Sequence, residues 1–413
     1  MNAEIINIGD ELLLGQTIDT NSVYIAKRLN EFGINISRKY CISDNENEIL
    51  ECLGNSMTRT DLVIITGGLG PTKDDITKST LAKFFKSDWR IDQDVLNHLE
   101  VIFKNRHREL LEINKLQANL PSNSTTLFNK AGTAPGMMFQ MDGKIVISLP
   151  GVPNEVEEII ENSFIPFIKT KYNIPQQKRR TLITLLEPES KLSQLLNDFE
   201  TKYSKTYPLS YLPSYNMVKI RLNQNLSHSN GDEFEEVFNE LLGILGDKVL
   251  CVGDISPTEY LASVLQEKNL KISFAESCTG GFICNQFVQI PGISTILEGG
   301  MITYSNDFKV NRLLINPNLF NINGAVSADV AEAMVNQMTE LSNTEIGIST
   351  TGIAGPTGEV ENKPIGTIFI GTKVHENTVV KQYMLRGNRQ QFMERALNCA
   401  LYQLNRQLMA IKS

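Results

Sequence analysis

Three short segments concentrate the residues that could do chemistry. Thr66-Gly-Gly-Leu-Gly-Pro-Thr-Lys-Asp-Asp75 sets glycines where backbone N–H groups can approach a phosphate, with two carboxylates beside them. Asp74 and Asp75 are hard oxygen donors suited to Mg²⁺, although a Gly-rich turn with an Asp helix cap would use the same letters. Asp10, Glu11 and Asp19 follow the first apolar run and fall on the same expected sheet edge, where a site role and solvated loop acids are equally open. Ala275-Glu-Ser-Cys-Thr-Gly-Gly281 puts Ser277 at a strand end that opens a helix, a position for a nucleophile or an anion. The segment is not G-x-S-x-G, so an α/β-hydrolase site is excluded. The chain has four histidines, His98, His107, His228 and His375, and Lys309, five residues after Tyr304, is the more available base for Ser277. An N-cap role for Ser277, a surface role for Lys309 and an interface role for Tyr304 stay open. Cys278 reads as a rival nucleophile or as a small buried residue. Thr351-Gly-Ile-Ala-Gly-Pro356 echoes Thr66 to Pro71, which suggests two separate phosphate-bearing ligands, with a chance echo of common Gly-Pro turns the alternative. His98 and His107 are nine apart and no Cys/His group has ligand spacing, which argues against structural zinc.

The elements that must position these loops alternate. Ala3 to Ile8 is an apolar strand, Asn21 to Phe32 carries helical spacing up to Gly33, and Ile34 to Ile42 is a second strand. A helix from Glu46 to Met57 and the buried-type strand Leu62 to Ile65 continue a parallel α/β pattern. Helical segments run to about Ala118. A hairpin then joins Met137–Met141 to Ile145–Leu149 through Asp142-Gly143, a type I′ turn, and a helix after Pro153 ends this domain. The polar stretch IPQQKRR reads as a linker into short strands, Thr181 to Leu186 and Met217 to Leu222, interleaved with two helices. The alternation restarts after Pro257: helix Thr258 to Lys268, strand Leu270 to Ala275, helix from Thr279, helix Ser327 to Leu341, strand Glu345 to Ser349. Strands near Thr367–Thr372 and Thr378–Leu385 precede a terminal helix from Asn388 to Ala410. The expected fold class is therefore α/β, with domains at 1–171, 172–253 (small α+β) and 254–413.

Composition bounds the rest. At about 150 residues per domain, 413 residues make roughly two to three domains. Hydrophobic residues at 41% and charged residues at 21% exclude disordered, collagen-like and coiled-coil classes. A net charge of −8 argues against general nucleic-acid binding. Six cysteines without a C-x-x-C pair suit reduced thiols. An acidic N-terminus and no membrane-length apolar run place the expected protein in the cytoplasm.

Together the motifs resemble the CinA family, the competence/damage-inducible protein A type, along nearly the whole chain. GDELLLGQTIDTN, TGGLGPTKDDIT and PGVPNEVEE look like its MoaB/MogA-like, molybdopterin-binding-type domain. AESCTGG, GGMITYSNDFKV, GAVS and TGIAGPTG look like its nicotinamide-nucleotide amidohydrolase domain. The resemblance implies a three-layer MoaB/MogA-like N-terminal domain and an α/β C-terminal domain that hydrolyses nicotinamide mononucleotide to nicotinic acid mononucleotide and ammonia. Ser277 would be the nucleophile, Lys309 its base and Tyr304 a supporting hydrogen-bonding group. Backbone N–H groups of Cys278, Thr279 and Gly280, or of Thr351 and Gly352, would hold the oxyanion. The ligand phosphate would lie on a Gly/Thr loop such as that of Gly355, near Arg386 or Arg389. For the N-terminal domain the resemblance implies metal-dependent hydrolysis of ADP-ribose to AMP and ribose 5-phosphate. Asp44, Asp74 and Asp75 would hold Mg²⁺, Mn²⁺ or Co²⁺, while Asp10, Glu11, Asp19, Asn21, Gly67, Gly68, Gly70 and Pro71 would line the substrate. No cofactor is implied for the C-terminal domain, and a homodimer is the family expectation. Two alternatives stay open: a molybdopterin-binding protein with an inactive amidohydrolase tail, and a competence-related protein without pyrophosphatase activity.

Overall fold

A computed structural model describes residues 1–172, 177–359 and 363–410, so part of the expected linker lies outside the described residues. The chain divides into two compact units, Met1–Gln177 and Lys178–Ser413. In the first, strand β1 (Asn2–Ile8) leads to helix α1 (Asn21–Glu31), β2 (Asn35–Ile42), α2 (Glu46–Arg59), β3 (Leu62–Thr66) and α3 (Thr77–Phe84). Helix α4 (Gln93–Asn105), strands β4 (Thr125–Leu127), β5 (Gly136–Met141) and β6 (Lys144–Leu149), and helix α5 (Pro153–Ile159) follow. The sheet order is β2-β1-β3-β6-β5-β4, with β2, β1, β3 and β6 parallel and the β6-β5-β4 edge antiparallel.

The apolar runs of β1 and β3 are buried on both faces, as a sheet covered by helices requires. Ala3, Ile5, Leu62 and Ile64 pack beneath α1 and α5, while Ile6, Ile8, Val63 and Ile65 pack beneath α2 and α3. This is a three-layer α/β arrangement. The hairpin forms on its Asp142-Gly143 turn, both residues having positive φ of 51° and 77°, as a type I′ turn demands. The long helix expected after Pro153 contains a π turn, Ile160–Phe164, that periodicity does not announce.

The second unit opens with β7 (Arg179–Leu185), α6 (Glu189–Tyr203), β8 (Leu209–Ser214), β9 (Met217–Asn223), α7 (Phe234–Leu245) and β10 (Val249–Val252), an antiparallel sheet ordered β8-β9-β7-β10. Then come α8 (Pro257–Glu267), β11 (Ile272–Glu276), α9 (Phe282–Val288), β12 (Leu297–Ile302), α10 (Asn306–Leu313), α11 (Ala328–Ser342), β13 (Ile346–Gly352), β14 (Thr367–Val374), β15 (Asn377–Met384) and α12 (Arg389–Ala410). The second sheet is ordered β12-β11-β13-β14-β15, parallel across β12-β11-β13 and antiparallel beyond.

The stretch expected as a separate middle domain has its own four-stranded sheet and core, yet it belongs to the compact unit Lys178–Ser413. Alternation along β7 sends Leu182 into a core with α6 and α7, but Ile183 and Leu185 into the core built on β11, β13 and α12. One strand therefore serves two cores, and the expected boundary near 253 runs through a shared hydrophobic interior. Among the described residues no helix is long and apolar enough to cross a membrane.

Candidate functional site

Both units raise their motif loops at the carboxyl ends of parallel strands, where open α/β sheets form crevices. In the second unit Ser277 leaves β11, Lys309 sits on α10 after β12, and Thr351 to Gly358 leave β13. They line a cavity of about 340 Å³ with Cys278, Tyr304 and Arg389. Lys309 Nζ stands 3.0 Å from Ser277 Oγ and 3.3 Å from the Tyr304 carbonyl oxygen. The side chain is 1% exposed, and this burial brings its ammonium pKa down to about 8. The surface reading for Lys309 is thereby excluded. So is the N-cap reading for Ser277, because α9 begins at Phe282 rather than Thr279. The delay has a cause: Glu276, buried at the end of β11, accepts the N–H groups of Gly281 (3.0 Å), Ile283 (3.2 Å) and Cys284 (2.7 Å). A carboxylate thus occupies the positive helix end, and Gly280 and Gly281 turn the chain with φ of 62° and 91°. Sequence reasoning did not single out Glu276, although it lies inside the AESCTGG motif.

Other expected residues fall less centrally. The Tyr304 phenol is exposed and accepts from Arg389 Nη2 at 2.9 Å, so only its backbone carbonyl touches Lys309. Thr279 does not line the cavity, and its hydroxyl pairs with that of Thr350 at 2.7 Å. The Gly280 N–H is spent on the Ser277 carbonyl at 3.1 Å, and of the loop's residues Ser277 and Cys278 line the cavity. Burial pushes the Cys278 thiol up to about 12, removing it as a thiolate nucleophile. Thr351, Gly352 and Gly355 line the cavity, and Arg389 also donates to the Gly355 carbonyl at 3.1 Å; Arg386 does not reach the cavity.

In the first unit a cleft of about 450 Å³ is lined by Gly9 and Glu11 after β1, Asp44 after β2, Gly67 to Pro71 with Asp74 and Asp75 after β3, and Pro150 to Pro153 with Glu155 after β6. Asp19 and Asn21 also line it; Asp10 does not, and its backbone N–H instead donates to Asp44 at 3.2 Å. Asp75 is not a helix cap, since α3 begins at Thr77 without one. Its carboxylate accepts from the Gly70 N–H (2.7 Å), the Thr72 N–H (3.0 Å) and the Thr72 hydroxyl, lacing the loop shut. Gly70 makes this possible, because a Cβ there would stand 2.3 Å from Asp75 Oδ2. Asp19 likewise accepts from Asn7 Nδ2 (2.9 Å) and from the N–H (2.9 Å) and hydroxyl of Ser22 at the start of α1.

Two family models match, "Probable molybdopterin binding domain" over residues 4–170 and "CinA C-terminal domain" over 255–408. A "Putative competence-damage inducible protein" of Clostridium botulinum strain Okra is 39% identical over 409 residues, 99% of this chain and 100% of the relative. The chain belongs to the CinA family. A "CinA-like protein" of Flavobacterium psychrophilum is 37% identical over 413 residues, 99% of each chain. Among solved structures, the CinA protein of Thermoplasma acidophilum is 35% identical with a TM-score of 0.37, covering 40% of this chain and 98% of that one.

The CinA-type N-terminal cleft can be tested for a divalent cation on its donor chemistry. Burial pushes the Asp44 carboxyl pKa up; the Asp10 N–H opposes this, and the charges of Asp10, Glu11 and Asp74 add to it. Such crowding of hard oxygen donors suits a cation. Among the described residues, however, no three His, Cys, Asp or Glu side chains could hold one ion. Mg²⁺ in general needs only one or two protein carboxylates, the rest of its shell being water and substrate phosphate.

Proposed function

We propose that this chain is a bifunctional nucleotide hydrolase of pyridine-nucleotide recycling. The second unit would hydrolyse nicotinamide mononucleotide to nicotinic acid mononucleotide and ammonia, and the first would hydrolyse ADP-ribose to AMP and ribose 5-phosphate. The observation that carries the reading is the 3.0 Å approach of a buried lysine amine to Ser277 Oγ. With Lys309 deprotonated, its lone pair takes the Ser277 proton as Oγ attacks the carboxamide carbon. The N–H group of Cys278 is the backbone donor on this loop available to the tetrahedral oxyanion. Lys309 then returns the proton to the departing nitrogen, ammonia leaves, and water hydrolyses the acyl-serine by the reverse sequence. Arg389, held by Gly355 and Tyr304 at the cavity wall, would meet the ligand phosphate.

For the first unit, Asp44 and Asp74 would hold the divalent cation. When bound it supplies charge neutralisation to the pyrophosphate. Asp75 shapes the glycine loop whose backbone faces the phosphates. Among the described residues the cleft is lined by six carboxylates and no lysine or arginine, so a cation would offset the repulsion of an anionic ligand. The molybdopterin reading is favoured by the similarity of residues 4–170 to a probable molybdopterin binding domain, and the two part on product. The deciding experiment is ammonia release from nicotinamide mononucleotide by purified protein, beside Ser277→Ala and Lys309→Ala variants that remain folded by circular dichroism. Release by wild type and its loss in both variants support the reading; no release from wild type would sink it. AMP release from ADP-ribose, set against tight pterin binding without it, separates the readings of the first unit.

A further inference from the structure

Hydrolysis of a pyrophosphate needs a group that takes a proton from the attacking water, and five of the six carboxylates in the N-terminal cleft are engaged or poorly held. Asp19 and Asp75 spend their oxygens on neighbouring donors. Asp44 and Asp74 are assigned to the cation, and Glu11 is exposed on the short helical turn Asp10–Leu13.

Glu155, the third residue of α5, is different. It is half-buried, and its Oε2 accepts from Asn129 Nδ2 at 3.0 Å, while Oε1 receives no donor. Asn129 also fixes the facing loop: its Oδ1 accepts the N–H groups of Ala131 and Gly132, both at 3.0 Å, and Nδ2 donates to the Ala134 carbonyl at 2.8 Å. Gly132 makes room for the carboxylate, since a Cβ there would stand 1.9 Å from Glu155 Oε1. The carboxylate of this cleft-lining residue is therefore positioned from two elements distant in sequence, with Oε2 tied to Asn129 and Oε1 beside Gly132 without a donor. Burial raises its pKa, opposed by the Asn129 bond and by the charge of Arg106 at the end of α4. Its own helix adds Glu157 and Glu158.

We propose that Glu155 is the general base of the N-terminal hydrolysis, oriented by Asn129. The assignment rests on the ADP-ribose reading. The water oxygen bonds to one phosphorus as its proton passes to Oε1. The bond from that phosphorus to the bridging oxygen breaks, and its electron pair leaves on that oxygen with the second phosphate. AMP and ribose 5-phosphate result, and Glu155 returns its proton to solvent.

Glu155→Gln preserves the shape and the acceptor for Asn129, and three readouts test it: AMP release with Mg²⁺ across pH, KM, and ADP-ribose affinity by calorimetry with and without Mg²⁺. The expected result is a kcat lower by about 10²–10⁴-fold, KM and affinity within about threefold, and loss of the acid limb of the wild-type pH profile. Asn129→Ala should move that limb to higher pH, because a bond that holds the carboxyl down is gone. Glu155→Asp, a second variant against misfolding, should keep the limb at reduced kcat. Retention of kcat and acid limb by Glu155→Gln overturns the assignment while leaving the ADP-ribose reading intact, as does a loss confined to affinity. No AMP from wild type overturns that reading, and this assignment with it.

Discussion

The two clefts are built on the same plan and charged in opposite ways. Each lies at the carboxyl ends of parallel strands, and each carries a T-G-x-x-G-P loop, from Thr66 in one and Thr351 in the other. The N-terminal cleft is lined by six carboxylates and no basic side chain; the C-terminal cavity is lined by Lys309 and Arg389 and no acid among the described residues. The difference separates what each can catalyse. A lysine beside clustered carboxylates would be held protonated and useless as a base, and a divalent cation beside Lys309 and Arg389 would be repelled. On the proposed reading, the glycine loop would serve both clefts as an anion platform, and the lining charge would select the chemistry performed on it.

The largest effect should come from Ser277→Ala, which removes the nucleophile. Ammonia release is expected to fall about 10⁴-fold or more while AMP release from ADP-ribose stays unchanged, so a fall in both products would break the separation. EDTA should do the converse, lowering AMP release about 10³-fold and sparing ammonia release. Acidity gives the third contrast. The Lys309 pKa is depressed to about 8, so the neutral amine gains as pH rises; kcat/KM for ammonia release should climb about a hundredfold from pH 6 to 9 and level off above 8. A flat profile would remove Lys309 as base. Glu276→Gln places amide hydrogens against N–H groups that a buried carboxylate now accepts. It should lower stability by about 2 kcal/mol, roughly thirtyfold in the unfolding equilibrium measured in urea. The smallest effect belongs to Arg389→Ala, with KM for nicotinamide mononucleotide raised about tenfold and kcat kept; an unchanged KM would move the phosphate elsewhere.

Much of this was legible in the chain. The continuous apolar runs of β1 and β3 gave a sheet buried on both faces, and Asp142-Gly143 gave the hairpin, because period and turn chemistry are local. Ser277 and Lys309 were legible as residue types, but not the burial of Lys309. That burial depends on residues such as Ser277, 32 positions away, that the fold brings against the amine. Helix α9 starts three residues later than its pattern implied because a buried Glu276 carboxylate, rather than a serine, satisfies its first N–H groups. Asp75 reads as a ligand or cap in sequence and acts as a loop clasp in space, since its partners lie on its own loop. Glu155 and Asn129 stand 26 residues apart, and only the fold brings them together. The shared core of β7 escaped notice for a related reason: a strand that alternates between two interiors looks, in sequence, like any fully buried strand.

The burial of Lys309 has a consequence for which bonds the C-terminal site can cut. On the proposed amidohydrolase reading, a proton lifted from Ser277 by an amine at 1% exposure would be shielded from bulk water and held for the leaving group. An amide nitrogen departs only with that proton, whereas an alkoxide of low basicity departs without it. The site should therefore discriminate by the basicity of what it expels. In Lys309→Ala, cleavage of an ester of nicotinic acid mononucleotide should persist far better than cleavage of the amide, marking the enclosed amine as an adaptation to nitrogen leaving groups.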